Sequence, residues 1–144
     1  TEDRINILVD KARALMSSGL NEESLAAARD AEQSLSEGPE QNQSLYLNYQ
    51  RVGDLYLDLG RPAEALSLLN TALSIEKNEK KSIKLKFSIA RCYEAMNKKS
   101  DYIPLYTQLA GLDDPIWSLV AKEKLEAIDF EAALKKANFK KNKK

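Results

Sequence analysis

Tyr49, Val52, Gly53, Tyr56, Gly60, Ala65, Leu69 and Ala72 set bulky and minimal side chains in a fixed order along one stretch of chain. Tyr49, Val52 and Tyr56 recur at helical spacing, Gly60 interrupts the period, and Ala65, Leu69 and Ala72 resume it. Such an order describes two amphipathic helices joined by a tight turn and packed closely enough that glycine or alanine must stand where their axes approach. It directs the chain to an all-α fold built from helix pairs.

The same period runs through the rest of the sequence. Ile5, Leu8, Ala12, Leu15 and Met16 share one face of a first helix, which Gly19 ends by taking the left-handed conformation that side-chain-bearing residues resist. Asn21 is placed to cap a second helix, with Glu22 and Glu23 in its first turn and Leu25, Ala28, Ala31 and Leu35 on its buried stripe; Gly38-Pro39 stops it. A helix from about Gln41 carries Leu45, Tyr49, Val52, Tyr56 and Leu59 as far as Gly60, and Pro62 opens its partner at the first helical position. After a polar connector, Lys77 to Lys81, a helix runs through Leu85, Phe87, Ile89, Tyr93 and Met96. A short one follows from about Asp101, with Pro104 in its first turn. Asp114-Pro115 reads as a cap and a first-position proline for a helix holding Trp117, Val120, Ala121 and Leu125, and a last short helix is expected near Phe130 to Ala137. Sustained apolar-polar alternation is missing, so no strand is expected.

Composition narrows the chemistry. A chain of 144 residues, 43% of them hydrophobic, can bury one real core, so one domain is expected. It has no histidine, which removes the commonest general base, the Ser-His and Cys-His nucleophile pairs and the usual metal ligand. Cys92 is the only cysteine, so neither an internal disulfide nor a cysteine-rich zinc site can form, and its place on an apolar helix face reads as a small buried side chain. The glycines at 19, 38, 53, 60 and 111 are isolated and make no phosphate loop. Asp113-Asp114 is the only adjacent Asp pair, and capping accounts for Asp114 better than acid-base work does. No enzyme, no cofactor and no metal are expected.

Charge balances at 22 basic and 22 acidic residues, but Lys135, Lys136, Lys140, Lys141, Lys143 and Lys144 close the chain, leaving 16 basic against 22 acidic before them. Residues 139–144 are expected to form a solvated, disordered basic tail. Nucleic acid and anionic membrane are disfavoured as its target because Phe139 is its only aromatic and no basic face leads back into the body. No run approaches the roughly eighteen apolar residues of a membrane span. The sequence starts at Thr1 without methionine, which reads as a processed form or a piece excised from a larger or membrane-anchored protein, soluble in cytoplasm or periplasm.

Repetition chooses between a plain bundle and an array. Leu15, Tyr56 and Tyr93 hold the same place in the first helix of successive pairs, 41 and 37 residues apart, as expected where each pair buries its apolar face on the next. Tyr46 to Glu79 resembles the tetratricopeptide repeat, with Tyr49 at the first aromatic position, Val52-Gly53 at the Leu-Gly pair, Tyr56 at the next aromatic, Gly60 at the turn, and Ala65, Leu69 and Ala72 in the second helix; Lys77 replaces the family's closing proline. Ile83 to Ile116 keeps Ala90, Tyr93 and Tyr106 but has Tyr102 for a small alanine and Asn97 for the turn glycine. Ile5 to Gly38 keeps Ala12, Leu15, Gly19 and Ala31 but has Ser24 at the alanine position and Ala28 at a large one. Trp117 to Ala121 looks like the start of a capping unit, with Trp117 sealing the last pair.

The resemblance implies a right-handed α-α superhelix of about three helix pairs, near residues 5–37, 46–79 and 83–113, with a cap from 114 in a domain spanning 1–138. It implies a bacterial protein-binding scaffold whose concave groove is lined by the first helix of each pair, placing Asn6, Arg13, Gln50, Arg51, Asp54, Lys84, Phe87 and Arg91 on or near that surface. The positions with which some members clamp a chaperone's terminal carboxylate correspond to Val9, Arg13, Arg51, Lys84 and Ser88, of which only Arg13, Arg51 and Lys84 carry charge. The expected occupant is an extended or helical segment of another protein, of acidic character, drawn by Arg13, Arg51, Lys84 and Arg91. The alternative is a self-assembling module that forms a homodimer or joins further repeats in a longer chain.

Overall fold

The structure, a computed structural model, describes residues 2–37 and 45–142. Among these residues there are seven α-helices and no strand: α1 (Glu2–Ser17), α2 (Asn21–Leu35), α3 (Leu45–Asp58), α4 (Pro62–Ile75), α5 (Glu79–Ala95), α6 (Lys99–Ala110) and α7 (Pro115–Asn142). α1 packs on α2, α3 on α4 and α5 on α6. Successive pairs touch through α1 with α3, α2 with α3, α3 with α5 and α4 with α5, and α7 lies against α6.

The turns within the three pairs repeat one backbone design. Gly19, Gly60 and Asn97 take positive φ of 79°, 76° and 58°, and the next residue in each case donates its N–H five residues back, Leu20 to Leu15, Arg61 to Tyr56 and Lys98 to Tyr93, at 2.9, 2.8 and 2.9 Å. This is the hydrogen-bond signature of a Schellman ending, and asparagine is the side-chain-bearing residue best suited to replace glycine there. The turn is so short that Leu20, Arg61 and Lys98 serve both as its last residue and as the N-cap of the next helix, with no side-chain capping bond. Asn21 is therefore the first residue of α2 and not its cap, a correction to the expectation from sequence.

Close packing follows the same two intervals. Ala12, Gly53 and Ala90 are buried in the first helices, and Ser24, Ala65 and Tyr102 in the second. Ala28, Leu69 and Tyr106 come next, then Ala31, Ala72 and Leu109, all fully buried. A Cβ at Gly53 would lie 2.8 and 2.9 Å from Leu69 Cγ and Cδ2, so that glycine is required by the neighbouring helix. In the first pair Ser24 fits at the alanine position because its Oγ donates to the Ala12 carbonyl at 2.6 Å, satisfying a hydroxyl that burial would otherwise leave unpaired. The third pair has its own apolar cluster, in which Phe87 stacks between Tyr106, at 5.9 Å between ring centroids, and Trp117, at 4.9 Å.

Other expectations change in detail. α5 starts at Glu79, inside the stretch read as a connector, because the Asn78 side chain accepts from Lys81 N–H at 3.1 Å and caps it. α6 starts at Lys99, so Pro104 lies inside the helix and not in its first turn; the carbonyl its ring leaves unbonded belongs to Ser100, which is exposed to water. Asp114 caps α7 as expected, its Oδ1 accepting from Ile116 and Trp117 N–H at 3.2 and 3.1 Å. The separate helix near Phe130 to Ala137 is overturned: α7 continues unbroken through it to residue 142, since nothing after Pro115 is a glycine or proline. Residues 143–144 lie outside the described residues, as do Gln41 and Gly38-Pro39. No helix among the described residues is long and apolar enough to cross a membrane.

Candidate functional site

The first helices α1, α3 and α5 are neighbours, and their polar positions meet along one face. Asp58, at the end of α3, lies between two arginines: Arg13 Nη1 of α1 stands 2.9 Å from its Oδ2 and Arg91 Nη2 of α5 stands 3.8 Å from its Oδ1. Two turns earlier in α3, Arg51 donates to Asn6 Oδ1 of α1. These contacts join the three pairs to one another, which is a structural task. With all three partners between a third and a half exposed, each ion pair contributes at most about 1 kcal/mol.

A cleft of about 280 Å³ opens between α3 and α5, lined by Tyr46, Leu47, Gln50, Arg51 and Asp54 from one helix and by Lys81 and Lys84 from the other. Asp54 is the partly buried acid among them. Its carboxyl is held above the usual carboxylate range, chiefly by burial, with a hydrogen bond from Ser88 and the charges of Lys84 and Arg91 acting against that rise and Asp58 adding to it. One oxygen, Oδ1, is buried and has no hydrogen-bond partner among the described residues. The cleft thus sets the cationic Arg51, Lys81 and Lys84 beside a partly buried carboxylate.

Of the eight residues expected on this surface, Gln50, Arg51, Asp54 and Lys84 line the cleft, while Asn6, Arg13 and Arg91 lie beside it in the contacts between pairs. Phe87 is not on the surface. It is 6% exposed and belongs to the cluster with Tyr106 and Trp117, because its side chain packs against α6 and α7. Gln50 is 5% exposed, so it contributes to the wall and little to the rim. Asp58 and Lys81 are additions that the sequence did not point to. Lys81 is one helical turn before Lys84 on the same face, a signal hidden by reading its segment as a loop.

Cys92 is fully buried, and burial pushes its thiol up to about 11, so it is a packed and unreactive side chain. Among the described residues, no group of His, Cys, Asp or Glu side chains is placed to hold a metal ion. Comparison with protein-family models and with curated proteins gives no match to this chain.

Proposed function

We propose that the chain is a non-catalytic binding scaffold of the tetratricopeptide type, a right-handed α-α superhelix of three helix pairs with α7 as its cap, and that it receives an acidic segment of a partner protein between α3 and α5. The observation that carries this reading is the cleft itself, in which Arg51, Lys81 and Lys84 stand beside the partly buried Asp54. Arg13 and Arg91 are engaged with Asp58, so the charge available to a partner is chiefly that of Lys81 and Lys84. An extended peptide would pair its carboxylates with these lysines. The repeated turns and the repeated small-residue register at intervals of 41 and 37 support the array.

The test is fluorescence anisotropy with a set of labelled acidic peptides and the matching set in which every Glu and Asp is replaced by its amide. The acidic set should bind with an affinity that falls as salt rises, and Lys81→Glu with Lys84→Glu should weaken it about tenfold or more. Equal binding of the acidic and amide sets would exclude the cationic cleft as the recognition site.

A further inference from the structure

α7 carries two apolar faces. One, formed by Trp117, Val120, Leu125 and Ile128, packs into the cluster around Phe87 and Tyr106. The second runs through Ala127, Phe130, Leu134 and Ala137 at spacings of three and four, with Glu123 and Lys141 continuing the same line at its two ends. At 3.6 residues per turn it lies about 130° round the helix from the first. Phe130 is 64% exposed and Leu134 47%. Ile128 is the last residue of α7 to reach the core, and the fourteen residues from Asp129 to Asn142 are all exposed. This leaves about 21 Å of helix standing clear of both apolar clusters. A helix segment of that length outside a core is marginal in water, and this one displays apolar side chains as well.

Charge along α7 states which occupant fits. Glu123, Glu126, Asp129 and Glu131 precede the stripe's midpoint with Lys122 and Lys124 among them, Lys124 being paired with Glu94 of α5, whereas Lys135, Lys136, Lys140 and Lys141 follow it with no acid; on the stripe's own line the two charges are Glu123 and Lys141. Two copies laid side by side in the same direction would set Glu123 on Glu123 and the lysine ends on each other. Laid antiparallel about a two-fold axis at the level of Ala132, they set Phe130 against the other copy's Leu134, Ala127 against its Ala137 and Glu123 against its Lys141. We infer that α7 is a dimerisation helix, whose second face is covered by α7 of a second copy of this chain in antiparallel register over residues 123–141. The contact is isologous and lies on the side of α7 away from the core.

Sedimentation equilibrium over a concentration series, with circular dichroism as the check on folding, tests this. The chain should approach twice its 16.2 kDa mass, and Phe130→Glu with Leu134→Glu should return it to one copy while the thermal transition of the body persists. Glu123→Lys and Lys141→Glu should each raise the dissociation constant about threefold or more, and the two together should restore it. Register is read by oxidative cross-linking. Ala127→Cys with Ala137→Cys should give covalent dimers, whereas either cysteine alone should not, since the axis holds the two copies of each about 15 Å apart along the helix. The native Cys92 is buried and does not interfere. A chain that stays monomeric at every concentration, a dimer that survives both glutamates, or single-cysteine cross-linking equal to that of the pair would overturn the inference.

Discussion

Gly53 shows how little freedom a single position has in this packing. Alanine there gains roughly 1 kcal/mol of helix propensity, but its Cβ would press on Leu69 Cγ, an atom at the branch of a fully buried side chain that cannot swing aside. Gly53→Val should lower unfolding free energy by about 2 to 3 kcal/mol, and Gly53→Ala by less because propensity offsets part of the overpacking; urea denaturation measures both. Asp54 presents the opposite case, a residue that costs stability where it stands. Its carboxyl is raised in the folded chain above its unfolded value, so below the unfolded value both states are protonated and nothing is lost, while at higher pH the folded state must hold a poorly solvated charge. Asp54→Asn should therefore raise the melting temperature at neutral pH, and the gain should fade as pH falls through the carboxylate range. Gly53 and its tight neighbour were legible in the sequence, since a glycine set between helix-spaced aromatics marks the point where a second helix comes close. The state of Asp54 was not, because desolvation is set by side chains from α5.

At the scale of elements, the turns carry the repetition more faithfully than the helices do. Gly19, Gly60 and Asn97 take one conformation although the helices around them differ in length and side-chain size. Asn97→Gly should be neutral or stabilising by up to about 1 kcal/mol, since it removes the Cβ from a left-handed residue, and Asn97→Val should destabilise by about 1 to 2 kcal/mol; thermal melts of the two variants separate them. The links between pairs were less visible. Nothing in the local sequence says that Asp58 will meet Arg13 and Arg91, since they stand 45 and 33 positions away and come together only when three helices align. Asp58→Ala should cost no more than about 1 kcal/mol and lose its effect at high salt, because the partners are exposed. Helix starts marked by proline, Pro62 and Pro115, fall where the sequence puts them. Those without such a mark, at Glu79 and Lys99, lie two or three residues before the expected starts, and the continuation of α7 past Ala137 had no local signal.

At the scale of the whole molecule, two apolar clusters share the chain, a larger one through α1 to α5 and a smaller one where α5, α6 and α7 meet. The smaller is covered by the partly buried Trp117, so Trp117→Ala should uncover Phe87 and cost about 2 to 3 kcal/mol. Because that cost falls on the last pair, hydrogen exchange should rise in α6 and α7 more than in α1 and α2. The all-α class, the three helix pairs and the small residues between their axes follow from the sequence alone, because helix period and steric size are properties of neighbouring residues. Which polar residues would stay on the surface did not follow. Phe87 and Gln50 turned inward, Lys81 joined the cleft, and α7 kept a second apolar face, since each depends on where another helix lies and the tertiary structure alone fixes those positions.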